Sequence, residues 1–184
     1  MAKKIKDTDY LALSSRIKAM ETRLLSQSRM EQILEARSDE EAAKILQECG
    51  YPELDAADPE AMDAALSAAR EETLADVMDG APEPRYIELF KLKYDYHNVK
   101  ALLKAEAMGT SADRMLMDMG RVPAAVLKEA VRTGELDELP PMLASAVAEA
   151  REILDTTRDP QLSDIALDRW TYADMAALAE DTNS

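Results

Sequence analysis

Glycine is scarce in this chain, with five among 184 residues, and aromatic residues make up only 4%. A sheet needs more aromatic and β-branched residues on its faces, so the shortage argues against one. It also removes the usual phosphate cradles: there is no Gly-x-x-x-x-Gly-Lys loop, no Gly-x-Gly-x-x-Gly and no Gly-x-Ser-x-Gly. The single cysteine, Cys49, excludes an internal disulfide and a cysteine-cluster zinc site, and reads as a small buried hydrophobe on a helix. The single histidine, His97, has none of the companions that a metal site or an acid–base pair requires, so it reads as a hydrogen-bonded surface or interface residue. No apolar run reaches membrane-spanning length. Lys3, Lys4 and Lys6 resemble the basic start of a signal peptide, but Asp7, Thr8 and Asp9 follow in place of an apolar core. A reduced, cytoplasmic location is the expectation.

Helix formers fill the space that these absences leave. Ala, Leu, Glu, Met and Lys dominate most windows, and 47% hydrophobic with 32% charged residues is a globular balance able to bury a core. The net charge of −15 is uneven. Residues 1–29 carry seven basic and three acidic groups, whereas 35–79 carry three basic and fourteen acidic. Nucleic acid and anionic lipid would be repelled by the second stretch. Its charge either keeps the chain in solution or forms an acidic face for a basic protein. The eleven methionines read as adaptable core fillers, with a Met-rich binding face as the alternative. Asp58, Glu60 and Asp63 lack the glycine and terminal bidentate Glu of a calcium loop, and read as a solvated helix start. No cofactor or metal is implied, and no pair of groups stands out as catalytic.

Apolar periodicity predicts an all-α fold. Tyr10, Leu13, Ile17, Met20 and Leu24 step by 3 and 4 and draw one helical stripe. Ser28 with Glu31 predicts a capping box for a short helix, and Ser38 with Glu41 another; Gly50 and Pro52 end the second. Asp58-Pro59 predicts the start of a helix ending near Gly80. The longest helix is expected over about 85–107. On it Leu89, Leu92, Tyr96, Val99 and Leu103 form one stripe, with Ile87, Phe90, Tyr94 and Ala101 beside it, so it should be packed on several sides. Asp95 and Asn98 sit together next to the first stripe and must find polar partners; Arg16 is one candidate. Residues 115–119 read as a helical turn or an extended piece. Helices are expected from Pro123 to Gly134, from Pro140-Pro141, and from Asp159-Pro160 to a stop at Asp181-Thr182-Asn183-Ser184.

The segment Lys93-Tyr94-Asp95-Tyr96-His97-Asn98-Val99-Lys100-Ala101-Leu102-Leu103 resembles the Tyr-Asp-x-x-Asn-Leu-Lys motif of the C (or d) subunit family of rotary V/A-type ATPases. Asp9-Tyr10-Leu11-Ala12 with Arg16-Ile17-Lys18-Ala19-Met20-Glu21 is similar to that family's first helix. Ser38-Asp39-Glu40-Glu41 with Ile45-Leu46 and Gly50-Tyr51 resembles its next signature. Leu116 to Gly120 with Val122-Pro123, and Leu167 to Tyr172, are similar to later family segments. The resemblance marks Tyr94, Asp95, Asn98 and Lys100, with Arg16, as a structural motif.

It implies three related helical units in a funnel on the cytoplasmic face of a membrane rotor ring. That funnel receives the central stalk and carries no nucleotide chemistry of its own. Partners would be stalk subunits and the ring, without nucleic acid and without membrane insertion. Family members are longer and repeat the motif, so the chain looks like the N-terminal part. The expected division is 1–109 as a five-helix unit, 110–158 as a smaller one, and 159–184 as the start of a further one. A helical adaptor unrelated to rotary motors is the alternative function, and a small helical enzyme is a third for which no residue pair speaks.

Overall fold

Segments with helical periodicity and a clear start signal are helices in a computed structural model, which describes residues 5–56 and 58–182. The basic start at Lys3 and Lys4 lies outside the described residues. Among the described residues there are eight α-helices and no strand. They are α1 (Leu11–Glu21), α2 (Gln27–Leu34), α3 (Asp39–Glu48), α4 (Pro59–Asp79), α5 (Arg85–Met108), α6 (Ala124–Thr133), α7 (Pro141–Thr157) and α8 (Pro160–Thr182). Single 3-10 turns occur at Asp7–Tyr10 and Asp113–Met115. The all-α fold is the one the composition predicts. None of these helices is long and apolar enough to cross a membrane.

Local chemistry sets most boundaries. Ser38 Oγ accepts from the Glu41 amide at 3.3 Å, while Glu41 Oε2 accepts from the Arg37 amide at 2.9 Å, so the reciprocal arrangement reaches one residue further back than a standard box. Gly50, at φ 91°, supplies the left-handed turn beyond α3, and Cys49 before it is half-buried. Asp58 Oδ1 accepts from the Glu60 and Ala61 amides at 3.0 and 3.1 Å, and Pro59 takes the first helical position.

Two expected boundaries are corrected. Ser26, not Ser28, caps α2. Its backbone is extended and its Oγ accepts from the Arg29 amide at 3.3 Å, whereas Ser28 already lies inside the helix. Glu31 then bonds to Gln27 Nε2 at 3.0 Å and closes no box. At the other end α8 continues through Asp181 and Thr182, because neither glycine nor proline interrupts it; Asn183 and Ser184 lie outside the described residues.

The chain divides into two compact units, one up to Pro84 and one from Arg85. In the first, α2 and α3 pack on each other. There α1 reaches the end of α4, where Arg16 pairs with Asp76 and the Leu13 side chain lies beside Gly80. Leu13 and Leu54 are the described hydrophobic residues that become buried in this unit.

The second unit holds the main core. Leu92, Tyr96, Val99 and Leu103 of α5 are buried with Leu127 of α6, Leu143 and Val147 of α7, and Leu167 of α8. Helices α7 and α8 form a hairpin through Arg158, which is left-handed at φ 56°, and both pack on α5, as does α6. Burial of α5 begins at Leu92, and Phe90 of its second stripe faces solvent while Ala101 is buried. This packing differs from the expected division at residue 109. The apolar circumference of α5 is covered by α6, α7 and α8, so α5 belongs with the helices that follow it. For the same reason α8 shares one body with α5 and α7 and does not begin a separate one. Two ion pairs rung α5 to the antiparallel α8, Lys100 Nζ to Asp168 Oδ1 at 2.6 Å and Lys104 Nζ to Asp164 Oδ2 at 2.5 Å.

Candidate functional site

The i, i+3 spacing of Asp95 and Asn98 puts both side chains on one face of α5, one turn apart, and both are fully buried. They grip the connection between the Asp113–Met115 turn and α6. Asn98 Nδ2 donates to the Met117 carbonyl at 2.8 Å, and its Oδ1 accepts from the Met117 amide at 2.9 Å. A single side chain thereby replaces the two backbone bonds that a neighbouring strand would give. Leu116, just before the residue that Asn98 pairs on both sides, is extended. His97, on the same turn of α5, donates from Nε2 to the Met115 carbonyl at 3.0 Å. Asp118 Oδ1 then accepts from the Ala124 amide at 2.8 Å and satisfies the start of α6.

Asp95 takes the far end of the same connection. Its Oδ1 accepts from the Val122 amide at 3.1 Å and its Oδ2 from Arg121 Nε at 3.0 Å. Arg121 is the hub. Its Nη2 donates to Asp174 Oδ2 at 2.7 Å and its Nη1 to Asp174 Oδ1 at 3.4 Å, which joins the loop to α8. Tyr96 Oη, from α5, donates to Asp174 Oδ2 at 3.1 Å and closes the circuit. Burial pushes the Asp95 carboxyl above its ordinary value, against the Val122 amide and Arg121, which favour the anion. Burial also works against the Arg121 charge, but the hydrogen bonds and fields of Asp174 and Asp95 outweigh it and hold the guanidinium above its usual value. Tyr96 is raised by burial and then by the adjacent Asp174 charge, so it stays a protonated donor.

Gly120 makes this geometry possible. A Cβ there would stand 2.0 Å from Asp95 Oδ1, well inside contact distance. Only a residue without a side chain lets the loop backbone lie against the carboxylate it feeds.

The structure thus brings Asp95 and Asn98 into one clamp and distributes the other motif residues elsewhere. Lys100 faces α8 through Asp168. Tyr94 is half-buried beneath Lys93, whose Nζ lies 4.9 Å from the ring centre. Arg16, named as a candidate partner for Asp95, instead pairs with Asp76 of the first unit, and the Asp95 charge is answered by Arg121. The physical reason is proximity in the fold: Arg121 is carried to α5 by the loop that Asn98 holds. Arg121, Gly120, Asp174 and Tyr96 were not marked as site residues by the sequence. The available signal was Gly120-Arg121 just before Val122-Pro123, in a chain with so few glycines.

Asn98→Ala leaves the Met117 N–H and C=O without their partner. We expect a loss of about 1–3 kcal/mol in denaturant unfolding, and an unchanged midpoint would contradict the clamp.

The site so built is a structural one, a charged lock between a long helix, a loop and the last helix. The family model described as ATP synthase (C/AC39) subunit matches residues 13–184, and the chain belongs to that family. It is similar to the C subunit of the V-type sodium ATPase of Enterococcus hirae, with 29% identity over 173 residues that make up 94% of this chain and 53% of that protein. It is also similar to the C subunit of the A-type ATP synthase of Methanocaldococcus jannaschii, with 24% identity over 141 residues, 71% of this chain and 35% of that one. The chain therefore spans about half the length of the first relative and about a third of the second. No solved structure matches.

Proposed function

We propose that this chain is the N-terminal part of a non-catalytic stalk subunit that couples the central stalk of a V/A-type, proton- or sodium-translocating ATPase to its membrane rotor ring. The family match over residues 13–184 carries this reading. The absence of a phosphate loop from the sequence supports a part without nucleotide chemistry of its own. Such a subunit works at the cytoplasmic face of the membrane through protein contacts, without lipid insertion. The acidic stretch 35–79 supports basic protein partners over anionic headgroups or nucleic acid.

The test is association of the intact subunit with purified stalk and with purified ring at low and high ionic strength. Exposed ion pairs contribute roughly 0–1 kcal/mol each, so binding is expected at both salt concentrations, with slower association at the higher one. A correctly folded sample that binds neither stalk nor ring would leave the helical adaptor as the better reading.

A further inference from the structure

We propose that α2 and α3 form a docking hairpin for a basic amphipathic helix of another protein. This goes beyond the stalk-subunit reading, which draws on the acidic stretch 35–79 as a whole and names no helix that a partner would contact.

The two helices are 8 and 10 residues long, and helices that short are marginal in water unless a packed face supports them. They pack on each other, and Arg29 Nη1 meets Glu48 Oε2 across the pair at 3.5 Å. Yet no residue of either helix is buried. Met30 and Leu34 lie one turn apart on the same face of α2 and are 47% and 85% exposed. Ile33 on α2, and Ile45 and Leu46 on α3, are only half-buried. The hairpin therefore offers an apolar seam that two helices alone cannot close, and a third helix laid along it would complete the burial.

Charge decides what that helix carries. Glu31 lies beside Met30 and Leu34 on α2, and Glu41 and Glu48 lie one turn either side of Ile45 on α3. All three are exposed, and residues 27–49 carry six acidic groups against three basic. A second copy of this chain would bring the same excess of negative charge, −15 in all, and an anionic lipid surface would be repelled likewise. A helix with leucine-like side chains on one face and Lys or Arg flanking them satisfies both the seam and its rim. The apolar contacts would supply most of the affinity, and the charges would select the partner and speed its approach.

The experiment uses the full chain and two synthetic amphipathic helical peptides, one of leucine and lysine, the other with glutamate at every lysine position. Binding is followed by fluorescence anisotropy and mapped by hydrogen-exchange mass spectrometry. We expect the lysine peptide to bind saturably, to slow exchange across 27–49, and to bind more weakly as salt rises, while the glutamate peptide does not bind. Met30→Ser combined with Leu34→Ser should weaken the lysine peptide roughly ten-fold or more without changing helix content or melting, since both side chains are exposed in the free protein. Equal binding to the double variant, equal binding of the glutamate peptide, or protection confined to residues outside 27–49 would each overturn the proposal. Any of these results would leave the stalk and ring association measurement standing.

Discussion

Asp95→Ala is expected to destabilise the second unit by about 3–5 kcal/mol, the range for breaking a buried ion pair by removing one partner. The carboxylate is fully buried and receives both the Val122 amide and Arg121 Nε, so its removal strands an amide and half-strands a guanidinium that is itself largely buried. For a unit of this size that corresponds to a fall in Tm of at least roughly 12 °C, followed by far-UV circular dichroism. Asp95→Asn keeps an acceptor for Val122 but not the charge facing Arg121, and should fall between wild type and the alanine variant. A melt of Asp95→Ala close to wild type would mean that the motif serves a partner and not the fold.

Gly120→Ala should be nearly as severe, by about 3 kcal/mol or more, because it combines overpacking with the loss of charge-assisted hydrogen bonds. The added methyl would meet Asp95 Oδ1 at 2.0 Å, Asp95 Cγ at 3.1 Å and the Val122 carbonyl at 3.3 Å. The carboxylate cannot retreat without leaving both Val122 and Arg121, so either the loop lifts or the clamp opens. The effect arises from space alone, since Gly120 is not among the residues with positive φ. Its signature is non-additivity: combined with Asp95→Ala, the glycine substitution should cost clearly less than it does in the wild-type background. Additive losses in denaturant unfolding would place the clash elsewhere.

Helix starts were legible where one residue decides them. Ser38, Asp58-Pro59, Pro140-Pro141 and Asp159-Pro160 each announce a helix by local hydrogen bonding or a fixed φ, and helices begin there. Ser28 was the expected cap where Ser26 serves, and the difference rests on backbone extension that a sequence does not display. The motif face on α5 was legible as well, because buried Asp95 and Asn98 had to find partners. Their partners were not, since periodicity reports which way a side chain points along its own helix and not what arrives there. Arg121 comes from a loop 26 residues away and Asp174 from a helix 79 residues away. Nothing local distinguishes Asp174 from Asp164 or Asp168, which serve the lysines of α5 instead. The unit boundary failed for a related reason: the sequence reading assigned α5 to its chain neighbours, and packing assigns it to the helices that cover it.

The two lysine–aspartate rungs between α5 and α8 add little to stability, since the groups are partly exposed. Their spacing matters in another way. Lys100 and Lys104 are four residues apart, as are Asp164 and Asp168, so a slip of one helical turn, about 5.4 Å, in either direction still aligns one lysine with one aspartate. Each slipped register then leaves one charge of each sign unmatched, and only the native register fills both rungs. The ladder therefore works as a register mark: it adds little to the hold between the helices, but it favours the native alignment by one ion pair over a slip of one turn in either direction.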